Sequence, residues 1–384
     1  MNSEPLVPET SVLAVASHVV SGNVGNKIAV FVLQSLGCVV SSVNTVQFSN
    51  HTGYGRFSGS RLTANEITAL WDGLKQSYLD SFNMMLSGYV PGAAGVEAVG
   101  QIAKELKEDA ASRPGSFFWV LDPVMGDNGQ LYVAADVVPA YQSLIHHADL
   151  ILPNQFEAEL LSGVKITDSS SLERAIEVLH DTYDIPHIVI TSVSLPIRTA
   201  SQTPASTRPA SPTPSQMQFT TTATMSVVGS SRKSDRKPRL FTIQFPVFDA
   251  YFSGTGDMFG ALMVVRMREA IAYSADETLQ HTASWLSPDD VAPTDLPLAR
   301  AAEKVLASMH EVLERTCEKI PSYLSAAIKR TAARKGTSED AVRADHDTMR
   351  LLKSQAAELK ITRNLDCLRA PTAQYRAEEM YSDR

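Results

Sequence analysis

Residues 253–262 read Ser-Gly-Thr-Gly-Asp-Met-Phe-Gly-Ala-Leu, and the architecture of the chain can be worked outward from them. The small residues Gly254, Thr255 and Gly256 follow the aromatic run FPVFDAYF and open a helix-period segment, Met258–Ala270. Three small residues in succession let backbone N–H groups converge at a helix N-terminus, where the dipole adds partial positive charge. Such a hole suits a phosphoryl group in transfer, and Asp257 in the first turn is placed to take a proton from an attacking alcohol. The same residues also describe an ordinary glycine turn with an acidic residue favoured by the dipole.

Upstream, short runs of Val, Ile and Leu alternate with helix-period segments. Ser11–Ala16, Val39–Val43, Asn83–Ser87, Phe117–Leu121, Leu150–Leu152 and His187–Thr191 read as strands. Between them, Val24–Leu36, a segment after Thr63, Val96–Leu106, Asp136–His146, Phe156–Leu161 and Leu172–His180 read as helices. Thr63 and Glu66 have capping-box spacing, with Ile67, Leu70, Trp71, Leu74 and Tyr78 expected on one apolar face. Strands buried on both faces with helices between them predict an α/β fold with a mostly parallel central sheet and helices on each side.

The rhythm breaks at Thr199–Gln216, eighteen residues holding four Thr, four Ser, four Pro and three Ala, which predict a disordered insertion. Strands resume at Thr222–Val228 and Leu240–Phe245 around the basic turn SRKSDRK. An acidic loop, Ser274–Pro297, precedes a helix over Leu298–Arg330. One domain over residues 1–330 with a charged tail over 331–384, partly packed on it, is the expected organisation.

The chain has 384 residues, a formal net charge of −8 and scattered Lys and Arg, so neither nucleic acid nor an anionic membrane is an expected partner. Its three cysteines, Cys38, Cys317 and Cys367, are far apart and form no zinc or disulfide pattern. The first ten residues lack the basic start and apolar run of a signal peptide, and no apolar stretch is long enough for a bilayer. The expected compartment is the cytoplasm, with the nucleus as a second.

Further candidates lie just past the strands, where open α/β sheets bind ligands. Asn154 and Glu157 have the spacing of a capping pair, and equally of a phosphate donor and a carboxylate orienting hydrated Mg²⁺. Asp122 and Asp127 flank a glycine turn and suit either a metal–phosphate site or a plain polar turn. After the first two strands, Ser17–Gly22 and Phe48–Tyr54 offer hydroxyls, an imidazole and aromatic rings for a flat heteroaromatic ligand, and Tyr89 could stack on it. Gly22–Lys27 fails as a P-loop because Ile28 stands where Ser or Thr is required. Neither glycine triplet has dinucleotide-fingerprint spacing, and no protein-kinase motif set appears.

Taken in order, SHVVSGNVGN, VNTVQFSNHTGY, SGYVPG, LDPVMGD, LILPNQFEAELLSG, IVITS and SGTGDMFGAL resemble the pyridoxal kinase family of the ribokinase-like superfamily. The resemblance spans Val12–Ser194 and Thr222–Arg266, and more loosely the C-terminal helices. GTGD marks the wider superfamily, whereas QFSNHTGY and NQFEAELLSG are specific to the vitamin B6 branch.

The resemblance implies a ribokinase-like three-layer domain and ATP-dependent phosphorylation of the 5′-hydroxymethyl group of pyridoxal, pyridoxine or pyridoxamine. It implies Asp257 as the base beside Gly254 and Gly256. Ser17 and Thr52 would hold the pyridine ring between Val24, Val46, Phe48 and Tyr89, with Tyr132 as a lid aromatic. Asp122, Asn154, Glu157, Thr191, Ser192 and Thr255 would form the ATP site, with Asp122, Asp127 and Glu157 near Mg²⁺. A monovalent cation such as K⁺ and a homodimer are also implied. The Thr199–Gln216 insertion and the expanded 274–297 loop depart from the family pattern, and bear on nucleotide contacts around Ser230–Arg239. A hydroxymethylpyrimidine kinase would share GTGD without needing QFSNHTGY, and a non-catalytic carrier of pyridoxal phosphate would need no base.

Overall fold

The computed structural model describes residues 6–195, 197 and 224–380. The insertion expected at Thr199–Gln216 lies outside them. Among the described residues ten strands form one sheet. In chain order they are β1 (Ser11–Val19), β2 (Val39–Phe48), β3 (Gly59–Arg61), β4 (Met84–Ser87) and β5 (Phe118–Leu121). A two-strand hairpin apart from the sheet, β6 (Gly126–Asp127) and β7 (Gln130–Leu131), comes next. The sheet continues with β8 (Leu150–Ile151), β9 (His187–Val193), β10 (Thr224–Arg232), β11 (Pro238–Pro246) and β12 (Glu378–Glu379).

The spatial order is β12-β11-β10-β9-β8-β5-β4-β1-β2-β3. From β2 across to β9 every neighbour is parallel, so the carboxyl ends of β1, β2, β4, β5, β8 and β9 share one edge. The flanking strands β3, β10, β11 and β12 pair antiparallel.

The double-sided burial expected of the apolar runs follows the two-residue period of a strand. Val12, Ala14, Met84, Leu86, Phe118 and Val120 face one layer, built on α1 (Asn26–Ser35), α7 (Thr255–Ala272) and α8 (Pro297–Lys335). Their neighbours Leu13, Val15, Met85, Trp119 and Leu121 face the other layer. That layer holds α2 (Ala64–Gln76), α3 (Ala93–Asp109), α4 (Val137–Leu144), α5 (Gln155–Ser162) and α6 (Ser169–Tyr183). Each fully buried side chain of this size contributes about 1.5–3 kcal/mol. α7 is apolar on nearly every face, as a helix sandwiched between a sheet and two helices must be.

Most element readings hold within about three residues, and α2 starts on the Thr63–Glu66 capping box, while β10 and α8 end four and five residues later than read. Three further points differ. β2 runs to Phe48, five residues past Val43, because Thr45, Val46 and Phe48 are buried against neighbouring strands and loops. Leu70 and Tyr78 do not share the buried face of α2: Ile67 and Trp71 do, while Leu70 is half-exposed and Tyr78 follows the helix with φ 58° and its ring in solvent. The basic turn after Ser230 lies away from the carboxyl edge, since antiparallel pairing sets Ser231 beside His187, the first residue of β9. Arg239 there donates to the Ser287 and Pro288 carbonyls, a structural use of its charge.

Residues 336–380 are folded. α9 (Glu339–Ala344), α10 (His346–Ala356) and α11 (Leu365–Arg369) follow α8. Val342 packs on Ile328 and Ala332 of α8, and Ile361, Cys367 and Leu368 enter the core of the α1–α7–α8 layer. Arg266 of α7, itself buried, donates to the Leu368 carbonyl at 2.8 Å, and β12 then closes the sheet beside β11.

Candidate active site

The N-terminus of α7 arrives at the carboxyl edge of the parallel strands, where the strand-end motifs also emerge. Gly254 caps the helix with φ 86°, and a Cβ there would stand 2.2 Å from the Asn23 carbonyl oxygen. Only glycine accepts both the left-handed backbone and that approach. Gly25 has φ 56°, and its Cβ would stand 2.0 Å from the Ser17 carbonyl oxygen, so Ser17 and the turn after β1 are pressed together. The Gly25 N–H donates to the Asp257 carboxylate. Burial raises the proton affinity of Asp257, and the Gly25 hydrogen bond opposes that rise without cancelling it.

Two more carboxylates belong to the same electrostatic unit. Asp122, just after β5, is raised well above its ordinary range by burial first, then by Glu157 and Asp257. Glu157 is raised to about 7, by burial and by Asp127, although it accepts backbone N–H bonds from Met125 (2.8 Å), Gly126 (3.3 Å) and Asn154 (2.9 Å). Asn154 accepts from the Glu157 N–H at 2.9 Å and donates to the Gly126 carbonyl at 2.7 Å. The capping reading of this pair is therefore realised in full, and the Glu157 carboxylate is largely committed to N–H donors.

Asp127 instead accepts from Asn128, through its N–H at 2.7 Å and its side-chain amide at 3.0 Å. Among the described residues no three His, Cys, Asp or Glu converge closely enough to hold a metal ion by themselves. A buried Asp122 further destabilised as an anion by Glu157 and Asp257 suits a hard divalent cation shared with phosphate oxygens, the usual habit of Mg²⁺. Asp122 and Asp127 are the candidates to hold it, with both Asp127 oxygens also accepting from Asn128.

An apolar cluster and a cavity flank the α7 N-terminus, and these are the two candidate recesses. On one side Val19, Val24, Val46 and Phe48 form a small apolar cluster with Tyr89 against it, so all four expected ring-wall residues come together. Thr52 opens a short turn, Thr52–Tyr54, and Gly53 lies near the Ser253 hydroxyl. Tyr132 is 61% exposed, within electrostatic reach of Asp127 and of the equally open Tyr251.

On the other side is a cavity of about 290 Å³ lined by Thr191, Ser192, Thr255 and Gly256. Its remaining wall includes Phe248, His310 and Tyr375, which the sequence reading missed. The Tyr375 hydroxyl and His310 Nδ1 are 2.8 Å apart, and the Phe248 ring lies 5.2 Å from His310. The nearest available signal was the aromatic run FPVFDAYF, which supplies much of this wall.

A family model described as phosphomethylpyrimidine kinase matches residues 93–221. The chain is 33% identical to the pyridoxal kinase of Homo sapiens over 321 residues, covering 81% of this chain and 86% of that protein. With the pyridoxal kinase of Ovis aries the identity is 35% over 327 residues, covering 82% and 88%. Among solved structures, pyridoxal kinase from Leishmania donovani in complex with ADP and pyridoxamine superposes with a TM-score of 0.68 at 26% identity, covering 97% of this chain and 100% of that one.

Proposed function

The chain belongs to the pyridoxal kinase family, and from that premise we propose how its residues carry out the reaction. It is an ATP-dependent kinase of vitamin B6, with a ribokinase-like fold. The observation that carries the residue assignment is the meeting of Asp257, the Gly254–Gly256 turn, the apolar Val24–Tyr89 recess and the 290 Å³ cavity at one helix N-terminus.

In this reading the pyridine ring lies against Val24, Val46, Phe48 and Tyr89, with Ser17 and Thr52 directing its polar groups. The nucleotide enters the opposite cavity along Thr191, Ser192 and Thr255, its phosphates pointing towards Asn154. Asp257 takes the proton from the 5′-hydroxymethyl group as that oxygen attacks the γ-phosphorus and the bond from the γ-phosphorus to the β–γ bridging oxygen breaks, releasing ADP. Its raised proton affinity brings it nearer the working pH, where a base is most effective. The N–H groups of the Gly254–Gly256 turn and the α7 dipole stabilise the phosphoryl group in transit, so catalysis is mainly positioning and charge stabilisation. Asp122 and Asp127 would hold Mg²⁺, which would supply charge neutralisation at the phosphates, and Glu157 would act beside it by fixing the 125–126 turn and, through its charge, favouring the hydrated cation. A monovalent cation such as K⁺ and a homodimeric state are carried by the family resemblance, while a domain over residues 1–330 with a partly packed 331–384 tail and a cytoplasmic, also nuclear, location are part of the same proposal on sequence grounds. Among the described residues no helix is long and apolar enough to cross a membrane.

The family model's description names a pyrimidine kinase, but residues 93–221 include neither the turns after β1 and β2 nor GTGD. The match therefore bears on the shared sheet and not on the ring to be phosphorylated. Purified protein with Mg-ATP and a panel of pyridoxal, pyridoxine, pyridoxamine and hydroxymethylpyrimidine tests the reading. Turnover of the B6 vitamers at least about tenfold above the pyrimidine, in kcat/KM, is expected. Preference for the pyrimidine, or binding without turnover, would replace it.

A further inference from the structure

The C-terminal segment delivers one carboxylate to the turns around the ring recess. Glu358, two residues past α10, accepts from the Asn23 N–H at 3.0 Å and from the Tyr54 hydroxyl at 3.0 Å, and pairs with His51 Nε2 at 3.1 Å. The Glu358 and His51 side chains are only 12% and 11% exposed. Around this centre, the Asn23 side-chain amide donates to the Leu359 carbonyl at 2.9 Å, and Arg350 donates to the Tyr54 carbonyl at 3.0 Å. Gly22 is pressed against the carboxylate: a Cβ there would lie 3.0 Å from Glu358 Oε1. Burial opposes ionisation of Glu358, yet the bonds from His51, Asn23 and Tyr54 hold its carboxyl below the ordinary range. Lys360 is the adjoining cation and stacks on Tyr323 at 4.4 Å.

The residues so tied are neighbours of the site. The Asn23 carbonyl abuts Gly254, Val24 belongs to the ring wall, and the Gly25 N–H bonds Asp257. His51 and Tyr54 bracket Thr52 and Gly53. Hydrogen bonds to an ionised carboxylate are short, strong and directional, so they fix geometry in a way that apolar packing does not.

We propose that Glu358 is a positioning residue for the B6 substrate: its carboxylate clamps the 22–25 turn to the 51–54 turn and holds both against the N-terminus of α7. The C-terminal segment thereby becomes part of the substrate site without touching substrate. The proposal rests on the assignment of these two turns to the vitamin ring.

The test uses the full chain and two readouts. Glu358→Gln keeps the shape but loses the charge and one of two acceptor oxygens. It is expected to raise the KM for pyridoxal roughly 10-fold while the KM for ATP stays within about twofold, a split that general destabilisation does not produce. Amide hydrogen exchange is expected to quicken in both turns, 20–25 and 50–56. Equal movement of both KM values, an unmoved pyridoxal KM, or faster exchange confined to residues 346–360 would overturn the clamp. Should Glu358→Gln fail to fold, Tyr54→Phe removes a single donor and is expected to raise the pyridoxal KM roughly threefold, with ATP unaffected. An unmoved value there overturns the proposal equally. Quickened exchange in both turns of Glu358→Gln, together with a wild-type protein that does not phosphorylate pyridoxal, would sink the kinase assignment of these turns and leave the clamp standing.

Discussion

The two recesses beside α7 are built differently. The recess proposed for the ring draws its wall from Val19, Val24, Val46, Phe48 and Tyr89, all from the first quarter of the chain and all in or near the carboxyl-end segments of β1, β2 and β4. The cavity opposite draws on β9, on the loop from β11 to α7, on α8 at His310 and on the C-terminal segment at Tyr375. One wall is local in sequence and set by strand ends. The other closes only after the last fifth of the chain has folded back. The two sides of one helix N-terminus thus differ in how far along the chain their lining residues are gathered from.

The largest expected effect is at the junction the two recesses share. Gly254→Ala forces an L residue into φ 86° with its Cβ 2.2 Å from the Asn23 oxygen. The strain should cost about 1–2 kcal/mol of stability. The displaced N–H groups should lower kcat by roughly 10²–10³-fold, measured under saturating pyridoxal and ATP. A variant with near wild-type kcat would detach the glycine turn from the chemistry.

Next comes the non-local wall. Tyr375→Ala removes the ring that closes the cavity and the partner of His310. The KM for ATP should rise roughly 10-fold with the pyridoxal KM little changed, and steady-state kinetics with each substrate varied separates the two. If pyridoxal responds instead, the recesses have been assigned the wrong way round.

What the sequence showed and what it hid follow the same division. Asp257, Asp122, Asn154 and Glu157 were legible because a helix cap, a tight glycine turn and a strand end each demand particular residue types at short fixed spacings. The alternation of apolar runs with helix-period segments was legible because both faces of the sheet are covered. His310, Tyr375 and Glu358 were not. Their roles depend on contacts spanning 65 residues or more, such as Tyr375 with His310, and no local spacing encodes such a meeting. Leu70 misled for a related reason: helical periodicity says which residues share a stripe, but not how wide a stripe the neighbouring layer covers.

Smaller and pH-dependent is the effect of the carboxylate group. Glu157 is raised from 4.5 to about 7 in the folded protein, and Asp122 and Asp257 are raised as well. A raised folded value means the native state holds protons that the unfolded chain releases, so this stabilisation is complete below about pH 4.5 and is lost as pH rises through about 7. Without Mg²⁺ and nucleotide, denaturant midpoints should fall as pH rises across that window. Adding Mg²⁺ with ATP should flatten the slope, since a cation at Asp122 favours the ionised forms. An identical slope with and without Mg-ATP would remove the cation from this cluster.

The smallest effect is expected from the insertion. Val193 of β9 pairs with Ser226 of β10, so the intervening chain joins two antiparallel neighbours. Deleting 199–216 leaves 194–198 and 217–225 to span that connection, and loop closure depends only weakly on length. Stability should move by less than about 1 kcal/mol; a loss above about 2 kcal/mol would show that the segment packs.

The most direct test of the central claim is Asp257→Asn. The change preserves size and hydrogen-bonding shape while removing the proton acceptor beside the Gly254–Gly256 turn. Calorimetry should show pyridoxal and ATP binding within a few-fold of wild type. Single-turnover phosphorylation of pyridoxal should fall by on the order of 10²-fold or more, and stability should shift by only about 0.3–1 kcal/mol. An Asp257→Asn protein that folds, binds both substrates and transfers phosphate at near wild-type rate would contradict the account.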